Sequence, residues 1–552
     1  MIKYKISVKN PAQHFIQFEM SIDVKDQNEL LIQLPVWRPG RYELGNFAKN
    51  VKGFGVTDQG GKKLKYEKTA HSSWLISCKN ASLIIVHYQY FANELNAGST
   101  YLNEDQLYIN PVNCFFYVPE MVPHKYELQF ELPKKYKIAS TLKKIGAHGL
   151  KSKDHFELFD SPLIASDNWQ RKTYVVDKIN FHVMFQGVCK PDWKRILADF
   201  EQFTRKQIQC FGSFPVNEYW FYVQTPSYRK YHGVEHEKST VIALGPGYDL
   251  MTDKVYNDLL GVCSHELYHT WNVKNIKPIE FTPFDFSKEN YNRIGFVIEG
   301  VTTYMGDKML WKSGVKNDDW FRNEMSTQFQ RHMWNEGRFN HSVKDSSYDT
   351  WLDGYVAGIP GRKVSIYTEG ALLALILDIE IQDKTKGKKS LDSVMKVLYK
   401  KFGSAEIGYR EKDFWDISER VYGGSLSSFY NNFHNNAVSY EKRLKAALKK
   451  LNWKVVEDNS MITRACYGLI VDDKSNIQKV HSMSDASSKG IAEGDKIIAI
   501  NDHVVNGNLT NWITFYNDEN KITLLLESSG KLKKVILKKS KSLYAEYRIE
   551  SA

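Results

Sequence analysis

The spacing of apolar residues changes twice along this chain, and those changes limit the architectures open to it. In the first third, Ile16, Phe18, Met20, Ile22 and Val24 alternate with Gln17, Glu19, Ser21 and Asp23. Tyr126, Leu128, Phe130 and Leu132 alternate in the same way with Glu127, Gln129 and Glu131. A period of two is that of half-buried strands in an antiparallel sheet. Near residue 175 the spacing becomes helical, at Trp193, Ile196, Leu197, Phe200 and Phe203. A strand-like Trp220-Phe221-Tyr222-Val223 follows, and the chain then reads as mostly helical to about residue 450. From about residue 456 the period of two returns. The expected fold is multidomain α+β: an N-terminal antiparallel β domain over 1–174, a mostly helical domain over 175–455 and a smaller β domain over 456–545.

At 552 residues, 42% hydrophobic and 25% charged, the chain has material for about three domains with real cores. No run reaches the roughly 20 apolar residues needed to cross a bilayer. The start, Met1-Ile2-Lys3-Tyr4-Lys5-Ile6-Ser7-Val8, alternates like a strand and lacks the features of a signal peptide, which points to the cytoplasm. An exported form with a trimmed signal is the alternative. Six scattered cysteines favour free thiols. The net charge of +11 is concentrated most at Lys531, Lys533, Lys534, Lys538, Lys539 and Lys541, but these alternate with Leu532, Val535, Ile536 and Leu537 as on a solvated sheet edge. No nucleic-acid motif accompanies them, so no nucleic-acid partner and no membrane insertion are expected.

The segment Cys263-Ser264-His265-Glu266-Leu267-Tyr268-His269 carries the chemistry. Thr252 and Asp253 suit a helix start, and Val255, Leu259, Leu260, Val262 and Cys263 recur at helical spacing up to it. Two histidines four apart share one helix face and converge on a single ion, with the intervening glutamate beside the ion as a base. Catalytic zinc takes three protein ligands. Asn272 and Asn275 stand where a metzincin has Gly and His, so the third ligand falls to a later glutamate, with Glu280, Glu289 and Glu299 as candidates. Glu299 is preferred. It lies in the apolar run Ile294–Met305, where an unpaired carboxylate is costly to bury and coordination removes that cost. Glu289 sits in the polar run Ser287-Lys288-Glu289-Asn290.

His265-Glu266-Leu267-Tyr268-His269-Thr270-Trp271-Asn272-Val273-Lys274, with Pro278, Phe284-Asp285, Glu289-Asn290-Tyr291 and Glu299-Gly300, resembles the glycyl aminopeptidase family of zinc metallopeptidases. These are gluzincins, relatives of aminopeptidase N, with a thermolysin-like catalytic domain behind an N-terminal β domain and a PDZ domain at the C-terminus. The resemblance implies one Zn2+ per chain on His265, His269 and Glu299, with Glu266 as general base.

Gly233-Val234-Glu235-His236 resembles the family's Gly-Gly-Leu-Glu-His, itself similar to the Gly-x-Met-Glu-Asn edge strand of aminopeptidase N, whose glutamate receives the substrate's free amino group. These four residues are therefore the expected substrate contacts, although His232 replaces the first family glycine and Val234 the leucine. Tyr367 of Tyr367-Thr368-Glu369-Gly370 matches the tyrosine that donates to the oxyanion in the relatives. Trp37-Arg38-Pro39-Gly40-Arg41-Tyr42 resembles a Trp-x-Pro-Gly-x-Tyr turn of the family's first domain, whose expected role is to fix a turn, with a route to the active-site mouth as the alternative. Tyr467-Gly468-Leu469-Ile470 and Gly490-Ile491-Ala492-Glu493-Gly494-Asp495 resemble the carboxylate loop and turn of a PDZ domain, which implies a peptide C-terminus as a partner.

The expected activity is zinc-dependent removal of the N-terminal residue from peptides, with the family's preference for small residues such as Gly and Ala. Two other readings fit the same residues. One is a zinc endopeptidase; the other is a PDZ peptide-binding protein with an inactive peptidase fold.

Overall fold

The computed structural model describes residues 1–25, 27–119, 124–356, 358–403 and 407–552. They form two compact units, one of Met1–Asn317 with His341–Asn436, the other of Asp318–Asn340 with Ala437–Ala552.

The first unit opens with a seven-stranded sheet in the order Lys143–Lys144, Gly149–Ser152, Tyr126–Glu131, Ile2–Ser7, Phe15–Asp23, Leu83–Phe91, Val51–Asp58. Every pairing is antiparallel except that of Ile2–Ser7 with Tyr126–Glu131, in register Ile2↔Tyr126. The alternation read from the sequence is the burial observed: Ile16, Phe18, Met20 and Ile22, like Tyr126, Leu128 and Phe130, point into the core. There Phe18 stacks on Tyr88 with ring centroids 4.9 Å apart, and the Tyr4 hydroxyl pairs with the backbone of Phe116. Apolar burial of this kind contributes about 25 cal/mol per Å² removed from water.

A second, mixed sheet runs Gln170–Val176, Ile179–Gly187, Glu218–Thr225, Ser239–Gly245, Lys230–Glu235. Gln170–Val176 crosses the expected boundary at 174, because strand alternation does not reveal which sheet a strand joins. Lys230–Glu235 is the edge strand, antiparallel to Ser239–Gly245. Helices dominate the rest of this unit, among them Asp253–Tyr268, Thr302–Lys312, Ile366–Lys384 and Leu391–Phe402.

In the second unit, helix Asp318–Trp334 lies in sequence within the range expected for the helical domain, yet it packs on the C-terminal strand Glu546–Ser551. Ile549 N donates to Ser326 Oγ at 2.8 Å and Trp334 Nε1 to Ala545 O at 2.7 Å. That strand pairs with Trp453–Asp458 and lies wholly beyond residue 545. A four-stranded sheet follows the order His503–Val504, Lys496–Ile500, Lys521–Ser528, Lys531–Lys538. The lysine-rich strand is at its edge, with Leu532 and Ile536 exposed between the lysines. All six cysteines are free thiols, and no helix among the described residues is long and apolar enough to cross a membrane.

Candidate active site

The His-Glu-x-x-His segment closes helix Asp253–Tyr268, with His269 as its C-cap; the helix starts behind extended Thr252 and buries Val255, Leu259, Leu260, Val262, Cys263 and Leu267. Ser264 Oγ donates to Gly306 O at 2.7 Å, tying this helix to Thr302–Lys312. The chain between them enters a short π-helical stretch, Phe296–Val301, that carries Glu299. Single π turns recur at functional sites because the extra residue re-aims side chains.

The three proposed ligands meet. His265 Nε2 and His269 Nε2 are 3.0 Å apart, and Glu299 Oε2 lies 3.6 Å from the first and 3.4 Å from the second. Donors about 2.1 Å from one tetrahedral ion stand about 3.4 Å from each other, so this nitrogen, nitrogen and oxygen set fits zinc. His269 Nδ1 lies 3.0 Å from Asn272 O, to which it donates as the Nδ1–H tautomer, freeing Nε2 as the ligating atom. Glu280 and Glu289 join no candidate metal group among the described residues.

The charge around this point also calls for a cation. Glu235, Glu266 and His269 present ligand atoms within 4.8 Å of one another, all three residues buried. Burial, reinforced by Glu235 and Glu299, pushes the Glu266 carboxyl well above the usual range despite His269. Burial works against a proton on His269, yet Glu299, Glu235 and Glu266 outweigh it and push the ring up to about 10. Burial likewise opposes ionisation of Glu299, but the two imidazoles hold it well below the usual carboxylate range.

Glu266 is 5% exposed, and its Oε2 has no hydrogen-bond partner among the described residues. Its other oxygen faces the edge strand so closely that a Cβ on Gly233 would overlap it. Only glycine lets the strand backbone come this near. Glu235, the last residue of the strand and 4% exposed, sits on the same side. Val234 faces away, into a cluster with Tyr108, Trp220, Tyr222 and Val241. His236 turns to Asp160, its Nδ1 3.2 Å from Oδ1. Asp160 also accepts from Lys274 Nζ at 2.7 Å and from Glu237 N at 2.8 Å, so it ties down the end of the strand that carries Glu235.

Tyr367 is the second residue of helix Ile366–Lys384, behind the Ser365 cap. Its ring lies nearly parallel to that of His265, with centroids 6.5 Å apart. Burial, with Glu299 and Tyr355 adding to it, pushes its hydroxyl far above the ordinary phenol range, so it stays a donor. Tyr355, not foreseen from the sequence, places its hydroxyl 3.5 Å from that of Tyr367. Tyr42 was also missed: it reaches in from the N-terminal domain and donates to Glu299 Oε1 at 2.7 Å. Its signal was the Trp37–Tyr42 turn. Thr303 donates to Glu299 O and orients no ligand side chain.

Two descriptions of one family match the chain: the Peptidase M61 N-terminal domain over residues 3–167 and M61 glycyl aminopeptidase over residues 258–373, the stretch that holds His265, His269, Glu299 and Tyr367. The chain belongs to the M61 glycyl aminopeptidase family. It is a metallo-aminopeptidase, a hydrolase of peptide bonds. Its fold is that of an aminopeptidase N family protein from Idiomarina loihiensis, with a TM-score of 0.92 at 24% identity over 100% of this chain and 98% of that one. An M1 zinc metallopeptidase from Deinococcus radiodurans aligns at a TM-score of 0.47 and 12% identity, over 81% of this chain and 92% of that one. No curated protein matches the chain.

Proposed function

We propose that this M61 enzyme is a zinc aminopeptidase that removes one residue at a time from free peptide N-termini. The observation that supports it is a buried carboxylate, Glu235, held on the edge strand within 4.8 Å of the ligand atoms of Glu266 and His269. A substrate adds as a strand along Lys230–Glu235, and its ammonium pairs with Glu235. That pairing sets the first peptide bond over the catalytic groups. One zinc per chain, held by His265, His269 and Glu299, would supply Lewis acidity and lower the pKa of a water. Glu266 takes the proton from the attacking water and passes it to the leaving amine. Tyr367 donates to the oxyanion that forms only in the transition state. Val234 and His236 act on the strand's position, since their side chains turn elsewhere. A preference for Gly and Ala at the first residue follows from family membership.

Glu235→Ala tests the anchor. Loss of a charge-assisted pair is expected to lower kcat/KM for free peptides by about 10- to 100-fold, with little change for N-acetylated ones. An unchanged ratio of free to blocked cleavage removes Glu235 from this role. Tyr367→Phe is expected to lower turnover by about 10²–10³-fold with zinc retained, the range for one oxyanion donor. Near-normal turnover removes Tyr367 from the mechanism.

We further propose that residues 456–545 act as a PDZ domain for a peptide C-terminus. Gly468 and Gly494, both at positive φ, stand at the turns that such a loop and strand entry need. Binding of C-terminal peptides by the full chain, abolished when the peptide carboxylate is amidated, is the expected result; equal binding of both forms counts against it.

A further inference from the structure

The turn Trp37-Arg38-Pro39-Gly40-Arg41-Tyr42 belongs to the N-terminal domain, more than 200 residues before the metal-site helix, yet two of its residues touch groups at the reacting centre. Tyr42, 3% exposed, donates to Glu299 Oε1 at 2.7 Å, so that oxygen is engaged and only Oε2 faces both imidazoles. Gly40, at φ +79°, lies so close to Glu235 that a Cβ there would overlap its Oε2.

The turn is rigidly seated. Trp37 is fully buried, and its Nε1 donates to Asp285 O at 2.6 Å. Val36 N donates to Phe286 O at 2.9 Å. The Tyr42 ring stacks on Phe281, with centroids 6.2 Å apart at 12°, and meets Trp351 edge-on at 6.1 Å. Phe281, Asp285 and Phe286 all lie in the stretch that joins the two metal-site helices. The same stretch that delivers Glu299 therefore also clamps the turn against it.

We propose that this turn is a positioning element of the active site, with Tyr42 holding Glu299 to single-oxygen ligation and Gly40 setting where the Glu235 carboxylate stands. An outer hydrogen bond to a ligating carboxylate fixes its orientation, and losing such a partner costs 10- to 100-fold in metal affinity. A backbone close behind a carboxylate limits its rotamers, which matters where a misplaced charge cannot meet the substrate's ammonium. Both residues act through another side chain, and the inference rests on the zinc and amine roles proposed above.

The two contacts are separable in the full-length protein. Tyr42→Phe keeps the ring and its packing, so the metal-free protein should stay folded, its melting temperature lowered by no more than the loss of one buried hydrogen bond requires. Its zinc affinity, measured by competition with a chromogenic chelator, should fall about 10- to 100-fold. The absorption of the Co2+-substituted protein should change as well, because Glu299 is free to turn. Gly40→Ala should leave zinc affinity at the wild-type value while raising KM for free-amine peptides by about 10-fold, with N-acetylated peptides unaffected. Wild-type zinc affinity and Co2+ spectrum in Tyr42→Phe overturn the role of Tyr42. Wild-type KM in Gly40→Ala overturns that of Gly40. If Glu299→Ala itself retains zinc, the ligand assignment fails; if Glu299→Ala loses zinc and Tyr42→Phe does not, only the present inference fails.

Discussion

Glu299→Ala should leave the protein without stoichiometric zinc after dialysis. Glu299 Oε2 stands 3.4–3.6 Å from both imidazole nitrogens, and the residue is 2% exposed. Its removal takes one of three ligands and the only carboxylate in the set. The loss in affinity is therefore expected to exceed the 10- to 100-fold that follows removal of an outer partner, reaching about 10³-fold or more. The Tyr42 hydroxyl would then be left buried without its acceptor, which costs about 1–3 kcal/mol of stability. Metal analysis by mass spectrometry reads the first effect and thermal melting of the metal-free protein the second. Retention of one zinc per chain in Glu299→Ala, with loss in Glu289→Ala, contradicts the ligand assignment.

Glu266→Gln should separate metal binding from chemistry. The side chain keeps its volume against Gly233, and none of the three ligands is touched. An amide cannot take a proton from water, so turnover should fall by about 10²–10⁴-fold, the range for general acid–base catalysis. Zinc content should remain at one per chain. Substitution also removes a buried carboxyl that faces Glu235 and Glu299, so the variant should fold at least as stably as the unaltered protein. Turnover within a few-fold of the unaltered enzyme means the proton is handled elsewhere.

The parts of the site that could be read from the sequence are those built by local geometry. His265 and His269 are one helical turn apart, so their convergence follows from helix periodicity alone. Glu299 stood out because a lone carboxylate in an apolar run needs a partner. Gly233 and Glu235 are two apart on a strand and so share a face; by the same rule Val234 faces away. Tyr42 and Tyr355 could not be assigned contacts in this way. Tyr42 meets Glu299 across 257 residues of chain, and Asp160 meets Lys274 across 114, separations for which no periodicity in the sequence gives a signal. The domain ranges were limited for the same reason. Strand Gln170–Val176 looks alike whichever sheet it joins, and helix Asp318–Trp334 does not announce that its buried face meets a strand more than 200 residues later.

The central claim, that the enzyme cuts only beside a free amino terminus, is tested most directly by product analysis on one pair of substrates. The zinc-loaded, unaltered protein is given a short peptide that begins with alanine and the same peptide with its N-terminus acetylated, and the products are identified by mass spectrometry. The expected result is release of free alanine from the first peptide and at least about 10-fold slower cleavage of the second, since acetylation removes the ammonium that pairs with Glu235. Efficient internal cleavage of the acetylated peptide would contradict the account and make the protein an endopeptidase.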